Sequence, residues 1–459
     1  MHEHIQTAVS LPITLTFTAI LIAMIALLTM EEKIHAKKSV IVGFFAVISL
    51  GLASFFHLIP LGEITLPDGH HIKMPAYIPG VDWEVIAIIL GSTIFIDVIS
   101  KSGLFAWIAI KLTKMSKGDP RQLLWYYGFM TVFFSAVLNN VTAMIIVGSL
   151  TVVSLEKLKL RKLLLGFLIT EALLTNVGGL LTLISSVPNI IVGNAASISF
   201  MKFFVSASPY VLVASCITIF MGSKIFKIPG LKGNKAKEQA EELVSTFDEN
   251  DSIESKLFFK FSIFILLAFI LTIAFTSILP VVKDLGIGFV AMSFAVIALV
   301  RYKSEADQFY KAIDWDLISF FLALFIVINV MEHALVLDLI GKAISVIIGD
   351  SASILGTGAL LFSSAAFSSV TDNIPLAAML AKILSSMNIS NDSSLWWSVI
   401  FGANLGGNLT PIGSASTLVA VTIMHKHKLP LSFMGFVKNA APFAAIQIIL
   451  AILYVIAFL

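Results

Sequence analysis

Two matched clusters of amide and hydroxyl residues stand out in an otherwise apolar chain. The first holds Asn139, Asn140 and Thr142, then Asn176, Thr182, Ser185, Ser186 and Asn189. The second holds Asp372 and Asn373, then Asn404, Asn408, Thr410, Ser414 and Ser416. Neutral oxygens with a single carboxylate suit a hard, partly dehydrated cation, and a Na⁺ at Asn140, Asp372 and Asn373 is the expectation. Each cluster is also rich in helix-breaking residues: Gly178, Gly179 and Pro188 in the first, Gly402, Gly406, Gly407, Pro411 and Gly413 in the second. Glycine frees the backbone, and proline removes a donor and clashes with the preceding turn. A helix that unwinds there exposes carbonyls that hold cations and half-helix N-termini that attract anions.

Ionisable residues within apolar segments are candidates for proton coupling. Asp372 comes first, as the acid at a hairpin tip, and Glu171, five residues before Asn176, comes second. Asp97 precedes Lys101 by one helical turn and reads as half of a local ion pair. Glu332 and His333 read as residues reaching the interface, and Asp68, His70 and His71 as surface loop without a ligand role. No HExxH, phosphate loop or Ser-His-Asp pattern occurs, so an enzyme is not expected, and no cofactor beyond a bound Na⁺.

The elements that must position these residues follow from composition. Of 459 residues, 58% are hydrophobic and 13% charged, with a mean hydropathy of +0.97. Soluble domains carry roughly 25% charged residues. A soluble enzyme, a disordered chain and a nucleic-acid binder are excluded. Ten apolar spans are expected at 11–30, 38–58, 83–100, 163–193, 203–223, 257–279, 287–301, 315–337, 395–424 and 436–458. Segments 122–155 and 353–387 each hold two arms around a polar tip and read as re-entrant hairpins, because arms of about fifteen residues rise only about 23 Å. Segments 163–193 and 395–424 read as broken helices. The lone Cys216 lies in an apolar run, which leaves no disulfide framework. With no basic n-region ahead of it, 11–30 reads as a retained first helix.

Charge sets orientation. Twenty-five of the 30 basic residues fall on one side of this layout, and Lys111 to Arg121 and Lys157 to Lys162 flank the first hairpin on both sides. By the positive-inside rule that hairpin enters and leaves from the cytoplasm, the second from outside, and both termini face outward. A multi-pass protein of the plasma membrane is expected.

The halves also match each other. Asp82-Trp83-Glu84 pairs with Asp314-Trp315-Asp316, Asn139-Asn140 with Asp372-Asn373, the Asn176 stretch with the Asn404 stretch, and Pro209 with Pro442. The fold class is therefore an all-α polytopic membrane protein. It is an inverted repeat of five transmembrane spans plus a re-entrant hairpin, with two broken helices. The first repeat covers 1–226, a cytoplasmic linker 227–255, and the second repeat 256–459.

Asn139-Asn140-Val-Thr142, Thr170-Glu171, Asn176-Val-Gly-Gly179, Val187-Pro188-Asn189, Asp372-Asn373-Ile-Pro375 and Gly406-Gly407-Asn408 with Ile412-Gly413-Ser414 resemble the arsenite/sodium antiporter group of the ion transporter superfamily. That group includes arsenite efflux permeases, NhaD-type sodium/proton antiporters and the P protein. The resemblance covers nearly the whole chain. It implies a homodimeric carrier that moves its site by an elevator-like shift. The chain departs from sodium/proton members at Asn139, where they usually have Asp, and at Ser185-Ser186, where they often have Gly-Asp. Proton coupling would then fall to Asp372 and Glu171. The Thr410-Pro-Ile-Gly-Ser414 stretch is closer to arsenite permeases.

The expected function is a secondary active transporter that exchanges Na⁺ for protons. The alternatives are an anion or oxyanion permease for arsenite or a carboxylate, and, in another class, a channel or a non-transporting membrane scaffold.

Overall fold

A computed structural model describes residues 9–459 apart from 60, 61, 66–70, 76, 305, 350–352 and 430. Asp68 and His70 lie outside the described residues. Nine helices among the described residues are long and apolar enough to cross a membrane. Eight are the unbroken spans expected from sequence. The ninth, Asn140–Lys157, is an arm of the first hairpin. Apolar side chains pointing away from the protein belong to these helices: Leu11, Leu15 and Ile22 are exposed on the first, while its other face buries Phe17, Leu21 and Met24. An outer surface of this kind requires lipid rather than water.

The spans beginning at Trp83 and Trp315 start alike. Asp82 accepts hydrogen bonds from the Glu84 and Val85 amides (3.1 and 3.2 Å), and Asp314 accepts one from the Leu317 amide (3.0 Å). Each carboxylate thus satisfies donors that the first turn leaves free. Each indole N–H donates to the carbonyl five residues earlier, Trp83 to Ile78 and Trp315 to Tyr310. Both closing helices, Phe200–Ile225 and Phe433–Phe458, are 26 residues long and carry an internal proline, Pro209 and Pro442.

Packing across the halves is reciprocal. Trp83–Ser100 runs along Val282–Leu299, and Trp315–His333 runs along Lys38–Phe55. Phe95 and Phe294 join the first pair to Phe269 of Lys256–Ala274, with ring centroids 4.6 to 5.9 Å apart. With Leu11–Thr29 and Lys256–Ala274 these helices form one packing group. The hairpins, the broken helices and the closing helices form a second, and few contacts cross between the groups.

The structure differs from the sequence expectation in four places. First, the arms of the first hairpin, Pro120–Val137 and Asn140–Lys157, have 18 residues each, longer than expected; those of the second, Ile354–Ser368 and Asn373–Ser386, have 15 and 14. Second, the span at Trp315 stops at His333, where Leu335 turns the chain with φ 57°, and a further helix Val336–Ile348 follows. Third, its counterpart Leu104–Met115 lies where a basic loop was expected; it buries Leu104, Phe105, Ala109 and Thr113 and turns its lysines outward. These two helices join one packing group to the other and are too short and mixed to register as spans. Finally, the linker is folded. It contains Asn234–Ser245 and docks through Glu249 on Lys114 (2.5 Å) and Glu241 on Lys117 (3.2 Å). In the outer loop, Gly62–Thr65 pairs antiparallel with His71–Met74.

Gly91 sits where the Trp83 span meets Val282–Leu299. A Cβ there would lie 2.5 Å from the Ala291 carbonyl carbon and the Met292 nitrogen. Gly91→Ala should therefore lower the melting temperature of the detergent-solubilised protein, at a cost of about 1–3 kcal/mol. Gly43→Ala, with no atom within 4 Å of its Cβ, is the control and should leave stability unchanged or slightly raised.

Candidate functional site

Unwinding a helix within a membrane frees backbone groups that lipid cannot solvate. Both expected breaks are present: Leu164–Gly178 gives way to Val187–Ala195, and Ser394–Gly406 to Ala415–Lys426. In the first, the Gly179 and Thr182 carbonyls accept from Ser185 Oγ (2.5 and 2.8 Å) and from Asn189 Nδ2 (2.6 and 2.9 Å). In the second, the Pro411 and Ser414 carbonyls accept from Thr417 Oγ1 at 3.0 and 2.7 Å. Thr417 occupies the position matching Asn189, so one hydroxyl does there what an amide does in the first half.

The hairpin tips dock on the breaks in matched fashion. Ser135 Oγ donates to the Thr175 carbonyl and Ser368 Oγ to the Ala403 carbonyl, both at 2.6 Å. Thr182 Oγ1 donates to the Ala136 carbonyl (2.6 Å) and Thr410 Oγ1 to the Ser369 carbonyl (2.5 Å). Gly179 permits this closeness, since a Cβ on it would lie 2.5 Å from Asn140 Oδ1.

The two halves are then tied to each other by exchange. Ser186 Oγ donates to Asn404 Oδ1 (2.7 Å), and Ser414 Oγ donates to Asn176 Oδ1 (3.2 Å). Asn404 Nδ2 donates to Asn189 Oδ1 (2.8 Å), and Asn176 Nδ2 to Asn408 Oδ1 (2.8 Å). Asn176 Oδ1 also accepts from Asn140 Nδ2 (3.3 Å) and Ser416 Oγ (3.2 Å). The network extends from Asn408 Nδ2 to Gln447 Oε1 (2.7 Å) and from Gln447 Nε2 to Thr218 Oγ1 (2.8 Å), which reaches both closing helices. Gln447 and Thr218 were missed in sequence, being single polar residues in long apolar helices.

A cavity of about 310 Å³ lies against this crossing, within the size range of small-molecule sites. Of the expected site residues, Asn139, Asn140, Thr142, Asn176, Ser185, Ser186, Asn373, Ser414 and Ser416 line it. Thr182, Asn189, Asn404, Asn408 and Thr410 are buried behind it and brace the breaks through the bonds above. Asp372 does not line it. Its Oδ1 accepts from the Ile374 amide (3.0 Å), and its Oδ2 pairs with Lys38 Nζ at 2.5 Å. Four helices begin at the cavity wall, at Asn140, Val187, Asn373 and Ala415. Their preceding residues Asn139, Ser186 and Ser414 are neutral, and Asp372 is neutralised by Lys38. Asp314, the acid in the wall, is spent on capping its own helix.

Glu171 lies elsewhere, fully buried in Leu164–Gly178. Its Oε1 accepts from Thr151 Oγ1 at 2.7 Å, and its Oε2 has no partner. It makes no contact with Asp372. Asp97 feels the charge of Lys101 one helical turn on, as its spacing suggested, and lines a neighbouring recess with Thr93, Asn139 and Thr142. Among the described residues, no group of three or more His, Cys, Asp or Glu is placed to hold a metal ion.

A second cavity, of about 450 Å³, is lined by Asp82, Asn194, Glu332 and Lys382. Trp315–His333 therefore begins at the first cavity, at Asp314, and ends at the second, at Glu332. Trp83–Ser100 runs oppositely, from Asp82 at the second cavity to Thr93 at the first. Equivalent spans are antiparallel, as an inverted repeat requires.

Removing a hub of the crossing leaves buried polar groups unpaired. Asn404→Ala strips partners from Ser186 Oγ and Asn189 Oδ1 and should cost about 1–3 kcal/mol for each group left unsatisfied. The loss is read as a lowered melting temperature in detergent, with Asn139→Ala, on an exposed cap, affected less.

Comparison with known proteins agrees with this architecture. The chain is 29% identical over 381 residues to a 46 kDa membrane protein of Mycobacterium leprae, covering 82% of this chain and 86% of that one. It is 23% identical to the human P protein, covering 99% of this chain and 61% of that one, so the expected resemblance to the P protein is found. In fold it is similar to the YdaH transporter of Alcanivorax borkumensis, with a TM-score of 0.60 over 92% of this chain and 98% of that one at 10% identity. The family match is to a citrate transporter family, CitMHS, and it extends over residues 4–401. The chain is a multi-span membrane transporter, not an enzyme, and belongs to the CitMHS citrate transporter family.

Proposed function

We propose that this transporter carries a small anion, a carboxylate or an oxyanion, by alternating access. The observation that carries this reading is the convergence of four helix N-termini on one cavity whose polar wall is almost wholly neutral. Helix N-termini carry partial positive charge and free N–H groups, so their sum favours a negative ligand. The family description, citrate transporter, points the same way. Motion of the hairpin and broken-helix group as an elevator is supported by its sparse contacts with the other spans. The cavity at Asp314 faces the cytoplasm and that at Asp82 the outside, on the positive-inside reading that also puts both termini out. A homodimer in the plasma membrane completes the proposal.

Exchange of Na⁺ for protons is the second reading. In its favour, the single Thr417 hydroxyl serves several break carbonyls, which leaves lone pairs for a hard cation. Against it, Asn140 and Asn373 line the cavity while Asp372 does not, and both oxygens of Asp372 already have partners. Na⁺ at this break fits better as a coupling ion for anion uptake.

Uptake of radiolabelled citrate, succinate, arsenite and ²²Na⁺ into proteoliposomes, each with and without a pH gradient, tests both readings. The expected result is saturable carboxylate or oxyanion uptake. Asn139→Asp, which sets a negative charge in the cavity wall, should lower it by about tenfold, or roughly 1.4 kcal/mol. Na⁺-driven proton movement without anion uptake, retained or improved in Asn139→Asp, would favour exchange instead.

A further inference from the structure

Among the described residues, the second arm of the second hairpin, Asn373–Ser386, is the one element of the hairpin and broken-helix group that is ion-paired at both ends to the other packing group. At its start, Asp372 Oδ2 meets Lys38 Nζ at 2.5 Å, and Lys38 opens the span Lys38–Phe55. Near its far end, Lys382 Nζ meets Glu332 Oε2 at 3.1 Å, and Glu332 closes the span Trp315–His333. Those two spans pack along each other, so both anchors sit on one rigid pair. The polarity alternates: the fixed spans supply a cation at one end of the arm and an anion at the other. The first hairpin has no such arrangement, since Asn139 stands where Asp372 does and is neutral.

We propose that Lys38–Asp372, assisted by Lys382–Glu332, is a latch that holds the present access state. Lys38 is a positioning residue: it draws the Asp372 carboxylate out of the cavity wall and fixes the hairpin tip against a span that does not travel with it. The pairs differ in strength. Lys382 and Glu332 are 50% and 41% exposed, so water and salt weaken their attraction, whereas Asp372 is 16% exposed. Lys38 also lies 3.6 Å from Glu31, which holds the ammonium in place beside the tip. Any shift of the hairpin along Trp315–His333 must part both pairs together. Their loss should free the hairpin and change the relative access of the cavity at Asp314 and the one at Asp82.

This inference rests on the carrier reading but is tested without flux. Replacing Cys216 with Ser gives a cysteine-free background. Thr93→Cys then reports on the first cavity and Asn194→Cys on the second, through labelling by a membrane-impermeant maleimide applied from either side. In Lys38→Met and in Asp372→Asn, the ratio of labelling at 93 to labelling at 194 should change by about fivefold and in the same direction, the shift expected for an ion pair of this kind. The exchanged pair Lys38→Asp with Asp372→Lys should bring the ratio back, and Lys382→Gln should shift it less and only at low salt. Where the single variants fold poorly, as judged by gel filtration, Lys38→Gln is measured instead. An unchanged ratio in every folded variant overturns the latch. A shifted ratio with no flux of any tested anion or cation keeps the latch and overturns the carrier reading.

Discussion

Backbone groups released by a broken helix in lipid have no water to turn to, and the centre of this molecule is organised around satisfying them. Two helices unwind side by side, and each break is closed by side chains of its own segment, by a serine at a hairpin tip, and by an asparagine or serine from the opposite half. Ser186 bonded to Asn404 and Ser414 bonded to Asn176 express this exchange most directly. The use of neutral amides and hydroxyls has a physical reason. They both donate and accept, so each serves several freed groups, and they carry no charge that a dry interior would have to neutralise.

This solution leaves a particular kind of cavity. Each unwound stretch ends where a new helix starts, so stitching two breaks and two tips together gathers four helix N-termini around one space. Asn189, Asn404 and Asn408 carry network bonds behind the wall, while Asn140, Asn176, Ser186 and Ser414 join the network and also line the cavity. Residues of the same type, often only a few positions apart, thereby differ in whether a ligand could reach them. The polar centre is rigid within its own packing group, yet that group touches the other spans sparsely and through few charged pairs. A carrier needs this combination: a site that keeps its geometry while its surroundings change.

Much of this was legible in the sequence. Asp-Trp at the start of two apolar runs, the paired asparagines of the tips and the Asn…Gly-Gly…Thr pattern of the breaks marked the repeat and its elements, because chain geometry in a membrane leaves few alternatives. What stayed hidden has common causes. Leu104–Met115 and Val336–Ile348 have mixed composition and read as loop, apart from Val336 and Leu337 at the end of the neighbouring span. The linker's charge suggested solvation, yet Glu249 finds lysines on Leu104–Met115 and Glu241 finds Lys117 just beyond it. Gln447 and Lys38 looked incidental because their partners are hundreds of residues away. Asp372 shows the limit most clearly: its type and position at a tip suggested ion binding, and its actual partners are Lys38 and the Ile374 amide.

The sequence by itself determined the class of protein, its main spans, hairpins and breaks, the duplication and most of the residues from which the centre is built, since hydropathy, helix-breaking residues and internal similarity are local properties of the chain. Only the tertiary structure decided which of those residues face the cavity and which stand behind it, which acids are already paired, and that equivalent spans run in opposite directions between two cavities. Those outcomes depend on what each side chain meets across the packed interior, and a hydrogen bond or ion pair between distant segments leaves no mark at either end of the sequence.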